Sequence, residues 1–126
     1  MRAAILKQGK ILIASVQGSM TDADLAQLRD ELVADVRRHR AAAVIVDVTM
    51  LDVMDSFAAR ILRGISQMIR LLGAESIVVG IQPEVAFSMV QLGLTLEGAR
   101  TALDLEEGLA LLADQQPGET GRQNDE

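Results

Sequence analysis

The chain contains no cysteine, tryptophan or tyrosine, and only two of its 126 residues are phenylalanine. Without cysteine, a disulfide framework, thiol chemistry and a thiolate metal site are all excluded. The shortage of aromatic side chains argues against stacking on nucleic-acid bases, and the formal net charge of −6 repels a phosphate backbone on average. We therefore do not expect nucleic acid among the partners of this protein.

Motifs for catalysis are also missing. His39 is the only histidine, and it lies among arginines at the end of a predicted helix, where a solvated side chain is the ordinary outcome. A hydrolase triad therefore lacks its base. The phosphate-binding patterns GxxxxGK(S/T) and GxGxxG do not occur. We expect a protein that is not an enzyme and that carries no cofactor and no metal.

Long hydrophobic runs are absent as well. The longest uninterrupted apolar run, from Ala41 to Val46, is far shorter than the roughly 20 residues that cross a bilayer. The apolar stretch near the amino terminus is interrupted by Lys7, Gln8 and Lys10, which is not the pattern of a signal peptide. About half of the residues are apolar, enough for one core. We expect a soluble, cytoplasmic single domain without a membrane partner.

The spacing of the apolar residues predicts strands that alternate with helices. Two short strands joined at Gly9 and Lys10 are typical of a hairpin, and two later apolar runs are typical of buried parallel strands. Thr21 and Asp24 form a capping-box pattern at the first helix. The predicted order is β-β-α-β-α-β-α-β-α, an α/β domain with a mostly parallel central sheet. Strands are expected at 5–6, 11–16, 43–48, 76–81 and 101–103, and helices at about 22–40, 56–72, 83–92 and from Asp104 onward.

The end of the chain differs in composition from the rest. The stretch QQPGETGRQNDE, residues 115–126, contains no apolar residue. Such a segment buries too little surface to offset the entropy lost on ordering. We therefore expect a domain at 1–114 and a disordered acidic tail at 115–126.

The segment LDVMDSFAAR holds the most informative polar side chains. Asp47 lies near the end of a predicted strand and Asp52 and Asp55 follow it, at the carboxyl end of a strand where α/β proteins bind ligands, and Ser56 begins a helix. From its position alone the serine has two interpretations. It caps the helix, which is worth about 1 kcal/mol, or its hydroxyl is displayed for modification. A receiver-like domain phosphorylated on aspartate fits less well, because the late lysine of such domains is missing.

Two stretches resemble a known family. AVIVDVTMLDVMDSFAARIL resembles the signature of the STAS domain (sulfate transporter and anti-sigma factor antagonist), in which a strand ending in aspartate is followed by a loop and Asp-Ser at a helix start. GIQPEVAFSMVQLGLTLEGARTALDLEEGL resembles the stressosome branch of that family. Phe57 stands where the simpler antagonists have a small residue. The resemblance covers about residues 3–112.

The resemblance implies a STAS-like single domain that acts as a scaffold and antagonist in bacterial stress signalling. It implies that an RsbT-like serine kinase is held by the assembly and released when Ser56 is phosphorylated. RsbR-like STAS co-antagonists would join homo- and hetero-oligomers, and a PP2C-type phosphatase would reset the serine. Three alternatives stay open: a simple anti-sigma factor antagonist in partner switching, a receiver-like domain, and a nucleotide-binding α/β domain.

The residues around the serine are the expected contacts with partners. Arg60, one turn further along the helix, is placed to help hold a phosphate on Ser56, whereas the aspartates oppose it. Because these effects are similar in size, phosphorylation should act at an interface and change the fold little. Leu51 and Val53 are candidates for an apolar anchor, although Leu51 and Phe57 also suit core packing. The partner-binding set is Asp47, Asp52, Met54, Asp55, Phe57 and Arg60.

Overall fold

Residues 4–114 are described by a computed structural model of the chain. This part forms five strands and four helices in the predicted order. The tail predicted at 115–126 lies outside the described residues. The bounds are β1 Ala4–Gln8, β2 Ile11–Ser15, α1 Asp22–His39, β3 Ala43–Asp47, α2 Ser56–Leu71, β4 Glu75–Val79, α3 Pro83–Leu92, β5 Arg100–Ala102 and α4 Leu105–Asp114.

The strands form one sheet in the order β1-β2-β3-β4-β5. The β1–β2 pair is an antiparallel hairpin, and the other three pairs are parallel, which confirms the predicted α/β class. The predicted element bounds agree with the observed ones to within two residues. Since β2 to β5 run in the same direction, the loops that follow β2, β3 and β4 gather at one edge of the sheet, which we call the carboxyl edge.

Helices cover both faces of the sheet. On one face, Leu28 and Leu32 of α1 and Ile65 of α2 are buried in the larger apolar cluster. On the other face, α4 packs closely because its turn at Gly108 has no side chain, and an added Cβ would lie 2.9 Å from Val79. This two-sided cover explains why β3 and β4 are apolar throughout most of their length. Among the described residues, no helix is both long and apolar enough to cross a membrane.

The predicted capping box at the start of α1 is present. The Thr21 hydroxyl accepts from the Asp24 backbone N–H at 3.1 Å, and an Asp24 carboxylate oxygen accepts from the Thr21 N–H at 2.9 Å. The hydrogen bond from the Thr21 backbone is the main cause that lowers the pKa of Asp24. The cap fixes where α1 begins, at the carboxyl edge of the sheet.

One buried polar atom lacks a partner. Ser76 on β4 is 2% exposed, and its hydroxyl oxygen makes no hydrogen bond in the described part of the chain. Ser66 on α2 is buried to the same extent, but its hydroxyl donates to the Leu62 carbonyl oxygen at 3.2 Å. The two serines therefore form a natural comparison of an unsatisfied and a satisfied buried hydroxyl.

Replacing Ser76 by alanine is expected to raise the free energy of unfolding by about 1 kcal/mol, because an uncompensated buried hydroxyl is removed. The control Ser66→Ala loses a hydrogen bond and gains helix propensity, so we expect a change within about 0.5 kcal/mol of zero. Urea unfolding of both variants measures the difference. A Ser76→Ala protein less stable than the wild type would contradict this prediction.

Candidate functional site

The loop between β3 and α2, residues 48–55, lies at the carboxyl edge and leads directly to Ser56. Its first residue is tied to the next strand, because the Val48 N–H donates to the Val79 carbonyl oxygen at 2.9 Å. A turn follows, in which the Leu51 N–H donates to the Val48 carbonyl oxygen, also at 2.9 Å. Leu51 and Met54 are buried at 8% and 2% exposure and attach the loop to the core. The loop is thus fixed at both ends.

Asp47, the last residue of β3, holds the beginning of this loop. One of its carboxylate oxygens accepts from the Thr49 backbone N–H at 2.9 Å and from the Thr49 hydroxyl at 2.6 Å. An aspartate that accepts from the backbone two residues ahead is a common turn-forming arrangement. In this structure Asp47 therefore shapes the loop through its bonds to Thr49.

Gln82 joins the loop to α3. Its side-chain nitrogen donates to the Thr49 carbonyl oxygen at 2.6 Å and to an Asp52 carboxylate oxygen at 3.2 Å. Sequence reasoning missed this residue. A signal was present in the sequence, because Gln82 stands directly before the helix-starting Pro83 and glutamine is a poor N-cap residue. In the structure it makes no side-chain cap bond, which leaves its amide for the loop.

Two glycines allow the neighbouring backbones to approach the loop. Gly80 has φ +81, and an added Cβ would overlap the Thr49 hydroxyl oxygen. A Cβ on Gly18, in the loop after β2, would lie 2.6 Å from the Met50 carbonyl oxygen. Both positions require glycine because real Cβ atoms do not come so close to other heavy atoms.

The start of α2 corrects one of the interpretations of Ser56. Asp55, not the serine, is the N-cap: its carboxylate accepts from the Ala58 N–H at 2.8 Å, and its carbonyl oxygen accepts from the Ala59 N–H at 3.0 Å. Ser56 is the first helical residue and is exposed. Within residues 4–114 its hydroxyl makes no hydrogen bond. A capping role therefore does not account for the serine at position 56.

Other expected contacts differ in exposure. Met54 was expected to reach a partner, but it is 2% exposed, so its side chain belongs to the core and not to an outer surface. Phe57 is half-buried and packs against the core cluster. Val53 is 70% exposed, as an apolar anchor requires. Leu51 and Met54 thus attach the loop to the core, whereas Val53 is an exposed apolar side chain of the same loop.

The charges around Ser56 are of both signs. Asp52 and Asp55 are exposed on its amino-terminal side. Arg60 is exposed one turn further along α2 and makes no ion pair within the described residues. The backbone N–H groups of Ser56 and Phe57 have no acceptor in the same part of the chain, as is usual in the first turn of a helix. The serine therefore lies between carboxylates and groups that favour an anion.

A family model of the STAS domain matches residues 2–108. The chain therefore belongs to the STAS domain family, which confirms the resemblance drawn from its sequence. Within that family it is similar to RsbS: a serine-to-glutamate variant of RsbS from Moorella thermoacetica is 32% identical, with a TM-score of 0.79 over 90% of this chain and 97% of that one.

Further relatives agree with this assignment. A chain from the stressosome, a signal integration and transduction hub, is 32% identical, with a TM-score of 0.76 over 88% of this chain and 96% of that one. The anti-sigma factor antagonist SpoIIAA, 15% identical with a TM-score of 0.71 over 90% of this chain and 98% of that one, shares the fold. The RsbT co-antagonist RsbRA of Bacillus subtilis (strain 168) is 29% identical over 99 residues, 79% of this chain and 36% of that relative. The chain thus spans about a third of that co-antagonist's length.

Replacing Gly80 by alanine is expected to lower the free energy of unfolding by more than about 2 kcal/mol, because the new Cβ would overlap the Thr49 hydroxyl. Gly73→Ala is the matched control: its φ is +92, but no atom lies within 4 Å of the added Cβ, so only backbone strain of about 1–2 kcal/mol is expected. Chemical denaturation compares them. Equal losses of unfolding free energy in the two variants would show that the overlap with Thr49 adds nothing to the destabilisation.

Proposed function

We propose that this protein is a non-enzymatic scaffold and antagonist of the stressosome type, which sequesters a switch kinase and releases it when Ser56 is phosphorylated. The kinase is an RsbT-like serine kinase, and a PP2C-type phosphatase removes the phosphate. The observation that carries the proposal is the Ser56 hydroxyl, which is exposed and unbonded in the described structure at the start of α2. The similarity to RsbS over nearly the whole chain supports it.

The geometry of the serine suits a kinase substrate. A kinase must bring its nucleotide to a hydroxyl that is accessible and held in place. Ser56 meets the first requirement by its exposure and the second because the preceding loop is fixed by Asp47, Gln82 and the buried Leu51. Asp55 supplies the helix cap, so modification of Ser56 leaves the cap intact.

The expected effect of phosphorylation is a change of surface charge. A phosphate on Ser56 adds about −2 of charge. The first turn of α2 favours an anion by roughly 0.3–1 kcal/mol, and Arg60 adds attraction, whereas Asp52 and Asp55 oppose it. These contributions are small beside a folding free energy of about 5–15 kcal/mol. The domain therefore stays folded, and the new charge acts on whatever protein is docked against it.

A serine-to-aspartate exchange tests the switch. Ser56→Asp is expected to fold normally and to bind the RsbT-like kinase of the same organism at least about tenfold more weakly than the wild type. Ser56→Ala should bind like the wild type and fail to release the kinase after ATP is added. Calorimetry gives the affinities, and mass spectrometry maps the acid-stable phosphate.

Ser88 provides the matched control, because it is an exposed serine on a different helix, α3. Ser88→Asp adds the same charge away from the loop and should leave kinase binding unchanged. A Ser56→Asp protein that holds the kinase as tightly as the wild type would remove the proposed switch. Phosphate found on an aspartate would favour a receiver-like domain in its place.

The proposal also includes assembly. Relatives named as co-antagonists of RsbT and a chain of the stressosome support homo- and hetero-oligomers with RsbR-like proteins. Light scattering of the purified chain, alone and mixed with an RsbR-like co-antagonist, is expected to detect particles larger than a monomer in at least the mixture. Monomers only in both samples would contradict a scaffold role.

A further inference from the structure

A groove opens beside the loop of residues 48–55, between the start of α1 and the start of α2. Its volume is about 330 Å³. The apolar side chains that line it include Leu25, Leu51 and Ala58, all of which are buried in the core cluster. Asp55, the residue directly before Ser56, also lines it, so the groove and the serine belong to one continuous surface. A groove with both apolar and acidic lining residues is thus available to a partner that approaches Ser56.

The rim of the groove carries charge of one sign. Asp22, Asp52 and Asp55 line it, and none of its lining residues is a lysine or an arginine. Asp22 makes no hydrogen bond or ion pair within residues 4–114, and Asp52 shares one carboxylate oxygen with Gln82. An apolar floor under a carboxylate rim complements a side chain that has an aliphatic stem and a cationic end. Arginine and lysine have this construction.

We propose that this groove receives an arginine or lysine side chain of the switch kinase. The contact would add to the binding free energy of the complex, beyond any contact that the kinase makes with Ser56. This inference rests on the proposed function, since the occupant belongs to that kinase. A guanidinium is the better fit of the two cations, because its planar group forms paired hydrogen bonds with carboxylates while its stem covers apolar surface.

The chemistry of phosphoryl transfer gives a reason for such a contact. A kinase must bring the phosphates of its nucleotide, which are strongly negative, to a serine that is flanked by Asp52 and Asp55. These like charges repel the nucleotide. A cation held in the groove offsets that repulsion at the same time as it neutralises the carboxylates that cause it. After transfer, the phosphate on Ser56 faces the remaining nucleotide phosphates, and the repulsion is restored.

The test uses two isosteric substitutions of the rim and a matched control. Asp22→Asn and Asp52→Asn each remove one charge, and asparagine at 52 keeps an oxygen that accepts from Gln82. Each is expected to weaken binding of the RsbT-like kinase about 3- to 10-fold at low salt, mainly through slower association, and to reduce the dependence of affinity on salt concentration. Glu84→Gln removes a charge from the first turn of α3, outside the groove, and should bind like the wild type.

The outcomes separate this inference from the function on which it rests. Biolayer interferometry with the full-length chain and the purified kinase, at two salt concentrations, gives the association rates and affinities. If Ser56→Asp weakens binding but Asp22→Asn and Asp52→Asn bind like the wild type, the groove proposal is wrong and the switch stands. An equal loss for Glu84→Gln also overturns it, since net charge alone would then explain the effect. A wild-type chain that binds no kinase overturns both.

Discussion

The position of Ser56 depends on one constraint, the fixing of the loop after β3 by Asp47 and Gln82. Asp47 closes the first turn through Thr49, and Gln82 holds the Thr49 carbonyl oxygen from the next loop along the edge. The backbone at Gly80 can lie against the Thr49 side chain because glycine has no Cβ. Without these bonds the middle of the loop would be held less firmly, because the apolar anchors and the Val48–Val79 backbone bond would remain but the tie to α3 would be lost. An interface that reads the charge of a single side chain requires that definition.

Much of the fold follows from local sequence patterns. The two-sided apolar run of β3, the stripe of leucines on α1 and the Thr21–Asp24 cap each have one physical interpretation, and all three are present. The exact ends of strands were less predictable, because strand ends are set by pairing with neighbours distant in the sequence. The strand predicted to reach Ile81 ends at Val79, where Gly80 turns away with a positive φ.

The site was predictable in its location and less so in its details. Asp-Ser after a buried strand indicated a helix start, but either residue suits an N-cap, and only the three-dimensional path of the chain assigns that role to Asp55. Likewise, Met54 and Val53 are adjacent apolar residues in one loop, and local sequence does not determine which of them faces the core. Gln82 escaped notice because its partners lie 30 and 33 residues away.

Asp55 caps α2 and Ser56 does not, which bears on how the proposed phosphorylation of Ser56 would leave the fold intact. If the serine were the cap, a phosphate would alter the bond that begins α2, and modification would be coupled to the stability of the helix. With the cap on Asp55, the hydroxyl of Ser56 makes no hydrogen bond in the described chain. Under the proposed function, charge would be added and removed at position 56 while the cap bond of α2 stays in place. The helix cap and the proposed switch therefore lie on neighbouring residues, Asp55 and Ser56, and the proposed modification does not use the bond that begins α2.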